Sequence, residues 1–201
     1  MAIYGVVMNQ AVFMSSLGDN ALATGYKTGE YLYSCSAIIL TNAKKGAAGL
    51  YHYPSGNIYD DSKSTNLIDC MIRDIRPTEV HVAYGTLEDA TDFMKSDDEP
   101  SQTLEDKPSK ALEEASELVD YLQGLLNISV SSSPATRVSA LVKIVDGVVQ
   151  YAEIESASIT DLGSYTTGKY PDQGFKVYWK HKPYWRVYSL LLHLKTACAK
   201  N

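Results

Sequence analysis

The residues that decide the fold are two apolar stretches, Cys35-Ser-Ala-Ile-Ile-Leu-Thr-Asn42 and Ala47-Ala-Gly-Leu-Tyr-His-Tyr-Pro54. The short segment between them ends in Gly46, a residue typical of tight turns, so the two stretches are predicted to pair as neighbouring strands. Such a hairpin can carry a thiol at the start of one strand beside an imidazole at the end of the next. Because a histidine in that position can take the proton of a cysteine, Cys35 and His52 suggest nucleophilic thiol chemistry.

The composition is that of a single globular unit. The chain has 201 residues, and 45% of them are hydrophobic, which is enough for a sizeable core. The formal charge of −6 argues against nucleic acid or an anionic membrane as the main partner, and leaves a basic partner protein open. The N-terminus lacks the basic region of a signal peptide, and no apolar run is long enough to span a bilayer. We therefore expect a soluble protein, cytoplasmic or secreted by a route that needs no signal peptide.

The cysteines and histidines give no sign of a disulfide framework or a metal site. Cys35, Cys70 and Cys198 form an odd set without a Cys-x-x-Cys pair. His181 and His193 have no acidic or cysteine partner at ligand spacing, so we expect no metal and no other cofactor. A buried cysteine is most often a small core residue, and this is the alternative to a catalytic role for Cys35.

Strands and helices follow one another in a βαβ-like order. Strands are predicted at 3–7 and 11–14, then a loop to Glu30, a helix at 66–75 ended by Pro77, and a strand at 79–85. Beyond a polar loop at 95–110, a helix is predicted at 111–126, a loop at 131–134 and a hairpin at 138–154 whose turn is Asp146-Gly147. His81 alternates with Val80 and Val82, so it faces away from them and is either exposed or covered by a helix.

From Gly163 onward, tyrosine and tryptophan alternate with lysine and arginine. This pattern is compatible with a stacking platform for single-stranded nucleic acid. It is also compatible with amphipathic strands, or an arm, whose aromatic residues cover the core. Because the whole chain is acidic, we favour the second interpretation, with residues 161–201 packed as an extension on a domain formed by residues 1–160.

The order Ser34-Cys35 before an apolar strand, followed by Ala48-Gly-Leu-Tyr-His52, resembles the chemoreceptor glutamine deamidase CheD. The later helices and the final hairpin follow that family's order of elements over residues 30–155. The chain is also similar to the catalytic domain of the cytotoxic necrotizing factor toxins. The resemblance implies an α/β (α+β) fold, a layered α/β/β sandwich with mixed sheets. It also implies hydrolysis of a glutamine side-chain amide on another protein, as by a delivered bacterial effector.

The resemblance assigns roles to particular residues. Cys35 becomes the nucleophile, His52 the base, and backbone N–H groups near Ser34 and Cys35 the oxyanion donors. Thr28, Ser55 or a backbone carbonyl of the N-terminal strands would orient the histidine ring. A cysteine peptidase or transamidase would use the same pair of residues, and a non-catalytic protein-interaction module on the same fold is the other alternative.

Overall fold

The structure, a computed structural model, describes residues 1–15, 19–24, 32, 35–54, 62–85, 110–135, 138–146, 148–155, 164–167, 169–171 and 173–179. Within these ranges the chain is an α+β protein with two α-helices and eleven strands. Neither of these helices has the length and apolar character needed to cross a membrane. Predictions made for Thr28, Ser34, Ser55 and residues 95–109 and 180–201 fall outside the described residues.

The strands form two mixed sheets. In chain order the elements are β1 (Ala2–Gly5), β2 (Gln10–Ser15), β3 (Asn20–Thr24), β4 (Ser36–Asn42), β5 (Ala47–Tyr53), α1 (Ser62–Ile75), β6 (Glu79–Tyr84), α2 (Lys110–Leu126), β7 (Val130–Pro134), β8 (Val138–Val145), β9 (Val148–Glu155), β10 (Ser164–Thr167) and β11 (Phe175–Trp179). One sheet has five strands in the order β10-β1-β3-β8-β9, and the other has six in the order β11-β2-β5-β4-β6-β7. The pairs β1–β10, β1–β3 and β6–β7 are parallel, and the other pairs are antiparallel.

The six-stranded sheet is the middle layer of the molecule. On one face its residues, such as Leu50, pack against Leu22 and Val142 of the five-stranded sheet. On the other face its residues, such as Tyr51, pack against Met71 of α1 and residues of α2. Every residue of β4 and β5 is buried because these strands are covered on both faces. This explains why they are continuous apolar runs and do not alternate in polarity.

The β4–β5 hairpin and both helices confirm the sequence-based predictions. Between the two strands lies a short 3-10 turn, Ala43–Lys45, where the Asn42 side chain accepts a hydrogen bond from the Lys45 N–H. Gly46 ends the turn with a φ of 56°, a conformation that favours glycine. In α2 the helical spacing of apolar residues predicts that Leu112 lies on the buried face. Leu112 is 37% exposed, so the buried face of that helix begins later than expected.

Helix α1 lies unusually close to β5 at Gly49. A Cβ atom at this position would lie 2.5 Å from Ile75 Cδ1 and 2.9 Å from Met71 Cε. Both side chains are fully buried. The absence of a side chain at Gly49 therefore allows the helix to pack against the hairpin that carries His52.

Two strands correct the prediction. Residues up to Glu30 were expected to form a loop, but Asn20–Thr24 is β3, fully buried between β1 and β8. Its alanines have low strand propensity, and pairing on both sides together with burial overrides that preference. Residues 131–134 were also expected to form a loop, but they belong to β7, an edge strand. An edge position tolerates Pro134, because its missing N–H is not needed for pairing.

The aromatic segment, which is the tyrosine- and tryptophan-rich part of the sequence from Gly163 onward, supplies one edge strand to each sheet. β10 pairs with β1, and β11 pairs with β2, so these two strands do not pair with each other. The ring centroids of Tyr170 and Phe175 lie 5.8 and 4.8 Å from that of Tyr4. Tyr178 and Lys176 contact Asp74 of α1 through a hydrogen bond and an ion pair.

Candidate functional site

The strand register places Cys35 and His52 on the same face of the six-stranded sheet. Ala37 of β4 is directly opposite His52 of β5, and opposed residues share a face. The Cys35 carbonyl accepts a hydrogen bond from Gly85 N at 2.9 Å, which continues the β4–β6 ladder beyond the start of β4. Because side chains alternate along extended chain, Cys35 has the same orientation as Ala37. Cys35 and His52 are thus diagonal neighbours on adjacent strands. The Cα atoms of two residues in this relationship lie roughly 7–8 Å apart.

This shared face points toward the five-stranded sheet. The Cys35 side chain is half-buried and packs against the core between the sheets. His52 is only 1% exposed. The thiol is therefore the more accessible member of the pair, and the imidazole is enclosed behind it.

Thr24 holds the histidine ring from the opposite sheet. Its Oγ1 lies 2.7 Å from His52 Nδ1, and both side chains are buried. Thr24 is the last residue of β3, so the bond spans the gap between the two sheets. A neutral ring has one N–H, so transfer of a thiol proton to Nε2 requires that Nδ1 carry that proton and donate it to Thr24 Oγ1.

Burial keeps the histidine ring neutral. Desolvation lowers the pKa of His52 from 6.5 to about 4, and a hydrogen bond to the Val6 backbone opposes this shift. A hydrogen bond that raises the pKa of a histidine is one in which the ring donates, so the Val6 group is the carbonyl. In the tautomer with its proton on Nδ1, this single N–H is shared between Thr24 Oγ1 and the Val6 carbonyl. At neutral pH the ring is uncharged, which is the form that can accept a proton.

The side chain in contact with His52 Nδ1 is thus Thr24, a residue that was not among the predicted candidates for an orienting group. Of those candidates, Thr28 and Ser55 lie outside the described residues. The third, a backbone carbonyl of the N-terminal strands, has a counterpart in Val6, which follows β1. Thr24 could have been found only by recognising β3, because the contact depends on two sheets meeting face to face.

Gln10 and Tyr170 stabilise the backbone beside the ring. The β2–β5 register pairs Ala11 with Tyr51, so the preceding residue, Gln10, is next to His52. Gln10 Oε1 accepts a hydrogen bond from Val7 N at 3.2 Å and lies 2.8 Å from the Tyr170 hydroxyl. These contacts fix the chain around Val6 and Val7, and with it the carbonyl that meets His52.

A second histidine lies elsewhere on the same sheet. His81 Nδ1 is 2.8 Å from Ser131 Oγ, and His81 Nε2 is 2.8 Å from Ser133 Oγ. The sequence suggested that His81 is exposed or covered by a helix. Instead its ring packs against Tyr151 of the five-stranded sheet, with a centroid distance of 4.2 Å.

Within the described ranges, no group of three or more His, Cys, Asp or Glu side chains is placed to hold a metal ion. The sequence matches no protein-family model and no curated protein. What bears on function is thus the geometry of two places in an α+β fold: the Cys35–His52–Thr24 arrangement and the surroundings of His81.

Proposed function

We propose that this protein is a cysteine-dependent amidohydrolase with a CheD-like fold, and that it deamidates a glutamine side chain exposed on another protein. The observation that carries the proposal is the 2.7 Å contact between Thr24 Oγ1 and His52 Nδ1, with Cys35 on the same sheet face as the ring. A nucleophile, a base and a group that orients the base are the three parts that such chemistry requires. The order of the layers, with helices on the six-stranded sheet and the five-stranded sheet on its other face, also agrees with the sandwich fold expected for this class of enzyme.

In the first half of the reaction, His52 Nε2 takes the proton of Cys35 as the thiolate attacks the carboxamide carbon. His52 Nδ1–H donates to Thr24 Oγ1 and so stabilises the imidazolium that forms. We assign the oxyanion to backbone N–H groups at Ser34 and Cys35. The C–N bond then breaks, and ammonia leaves with the proton carried by Nε2. The product of this half is a thioester on Cys35.

In the second half, water replaces ammonia. His52 takes a proton from the water molecule, and the resulting hydroxide attacks the thioester carbonyl. The thiolate leaves and recovers its proton from His52, so a glutamate stands where the substrate had a glutamine. Both halves start from a neutral imidazole, which agrees with the lowered pKa of His52, about 4.

The main alternative is a non-catalytic interaction module on the same fold. One observation favours it: His52 is almost completely buried, and its hydrogen bond to Thr24 would by itself link the two sheets. In that case Cys35 is an ordinary core residue. A cysteine peptidase or transamidase shares the proposed dyad and differs only in the leaving group or the acceptor.

Thiol labelling tests the dyad without knowledge of the substrate. Near neutral pH, iodoacetamide should modify Cys35 before Cys70, and His52→Ala should slow this labelling while the circular dichroism spectrum is retained. Cys70→Ser is the matched control, because Cys70 is a free, half-buried cysteine in α1. Equal labelling of the two thiols, or labelling indifferent to His52→Ala, favours the interaction module.

Ammonia release separates the enzymatic alternatives. With a glutamine-containing dipeptide as the probe, a deamidase releases ammonia and leaves the peptide bond intact. A peptidase cleaves the chain, and a transamidase needs an added amine to consume its thioester. Cys35→Ser should abolish each activity, and Cys70→Ser should not.

A further inference from the structure

The surroundings of His81 form a second arrangement of a hydroxyl, a base and an orienting group. The parallel register of β6 and β7 pairs His81 with Ser131 and Ala83 with Ser133. Ser131 and Ser133 are two residues apart on one strand, so both point to the same face as His81. Each hydroxyl oxygen lies 2.8 Å from a different nitrogen of the ring.

The direction of these bonds follows from the Ser131 hydroxyl. Ser131 Oγ donates to the Val80 carbonyl at 3.3 Å, so its single proton is used there. With its proton directed to Val80, Ser131 Oγ accepts from His81 Nδ1–H, and in this tautomer the lone pair of the ring is on Nε2. Ser133 therefore donates its hydroxyl proton to Nε2, the relation between a nucleophile and its general base.

The ring adjoins a small cleft between the two sheets. His81 and Ser131 line a cavity of about 110 Å³, together with Ile39, Thr41, Glu79, Val80 and Tyr151. A single water molecule needs roughly 10–15 Å³, so the cavity can accept a short acyl group. The ring of Tyr151 packs on the imidazole and can stabilise its protonated form through its π face. Glu79 is exposed and disfavours anionic ligands at the mouth of the cleft.

We propose that Ser133 is the nucleophile of a separate acyl-transfer site that hydrolyses small, uncharged esters, with His81 as general base and Ser131 as a positioning residue. This proposal does not depend on the role of Cys35. Three features carry it: the chain of hydrogen bonds from Ser131 through His81 to Ser133, the half-buried position of Ser133, and the cleft that His81 and Ser131 line.

The reaction balances without any additional reagent but water. Ser133 Oγ attacks the ester carbonyl carbon as its proton moves to His81 Nε2. The bond to the alcohol oxygen breaks, and the departing alkoxide takes that proton, which leaves an acyl group on Ser133. Water then gives a proton to Nε2 and attacks the acyl carbon. A carboxylic acid leaves, and Ser133 regains its proton.

The test uses the full chain with Cys35→Ala, so that the proposed thiol nucleophile cannot contribute. A fluorophosphonate probe and p-nitrophenyl acetate report on an activated serine. We expect the probe on Ser133 by peptide mass spectrometry. His81→Gln should slow labelling and ester hydrolysis by about a hundredfold, the lower end of what a positioned base contributes. Ser132→Ala is the matched control, because Ser132 is an exposed neighbour on the other face of β7.

The positioning role proposed for Ser131 is tested by a measurement that would not change if Ser131 had a purely structural role. Ser131→Ala should lower kcat more than it raises KM, and Ser131→Thr, which keeps the hydroxyl, should restore the rate. The proposal is overturned if Ser133 is unlabelled in the folded protein, or if His81→Gln leaves the labelling rate unchanged. If His81→Gln does not fold, failure of Ser133→Ala to lower ester hydrolysis is equally decisive against it.

Discussion

Thr24 and His52 are 28 residues apart in the chain and meet across the gap between the two sheets, with Thr24 Oγ1 2.7 Å from His52 Nδ1. The partners belong to strands that share no backbone ladder, so the side chains alone make this connection. It fixes the ring proposed to activate Cys35 and gives a buried imidazole nitrogen the hydrogen bond it needs. The contact should therefore contribute to both activity and stability.

Replacing Thr24 by valine should reduce both properties, because it keeps the volume and removes the hydroxyl. We expect iodoacetamide labelling of Cys35 to slow by roughly tenfold to a hundredfold, part of the 10²–10⁴ that a positioned base supplies. Loss of this buried hydrogen bond should also lower the free energy of unfolding by about 0.5–1.5 kcal/mol, measured in urea. Thr24→Ser, which keeps the hydroxyl, is the control. Unchanged labelling in Thr24→Val would mean that the ring needs no orienting group.

The free energy of unfolding should depend on pH through His52. The pKa of this ring is about 4 in the folded protein against 6.5 for an unperturbed histidine. Between these values the unfolded chain binds a proton that the folded ring does not, so stability falls as pH decreases from 6.5 toward 4. Above pH 6.5 this contribution is constant. The full loss amounts to roughly 3 kcal/mol, at about 1.4 kcal/mol for each pH unit.

Urea denaturation at several pH values measures this effect. Carboxyl groups also titrate in the lower part of the range, so the comparison is with His52→Gln, which keeps all of them. The difference between the two proteins in the slope of unfolding free energy against pH is the contribution of His52. Parallel pH profiles for wild type and His52→Gln would contradict a pKa this low.

Gly49→Ala should destabilise the fold by about 1–3 kcal/mol, as other overpacked core positions do. Its new methyl group would meet Ile75 Cδ1, Met71 Cε and, at 3.1 Å, the backbone oxygen of Val12. The side chains can shift, but the backbone oxygen belongs to a paired strand. Gly124→Ala in α2 is the opposite case, because nothing lies within 4 Å of the added carbon. It should stabilise the protein by roughly 0.5–1 kcal/mol through helix propensity. Thermal unfolding of both variants checks the difference in sign.

Two truncations test the aromatic segment. Removing residues 164–201 deletes β10 and β11 and exposes an edge of each sheet, so we expect a markedly lower Tm. Removing only residues 180–201 keeps both strands and should cost less. Binding of a single-stranded oligonucleotide is measured alongside, over a range of salt concentrations. If the longer truncation keeps its Tm and the intact chain binds the oligonucleotide with steep salt dependence, the segment is a nucleic-acid surface.

Long apolar runs and periodic helices were predictable from the sequence, and weakly patterned strands were not. The β4–β5 hairpin is encoded locally by apolar residues and a glycine turn. By contrast, β3 is rich in alanine, and β7 is rich in serine and ends in proline, so composition favours loops at both places. Both strands exist because a neighbouring strand supplies a complete ladder. The features that depend on these two strands could therefore not be predicted from the sequence either. They are the contact of Thr24 with His52 and the position of the two serines around His81.

The pairing of the last described strands with the first has a consequence for how the chain folds. The register joins Ala2 to Ser164 and Met14 to Phe175, so nearly the whole described chain must close into a loop before either sheet is complete. Contacts at such sequence separation form late and slowly. During synthesis, β1 and β2 would each have one unpaired edge until residues 164–179 have left the ribosome. An unpaired edge can pair with a strand of another molecule. The nascent chain should therefore depend on chaperones for longer than its size alone suggests.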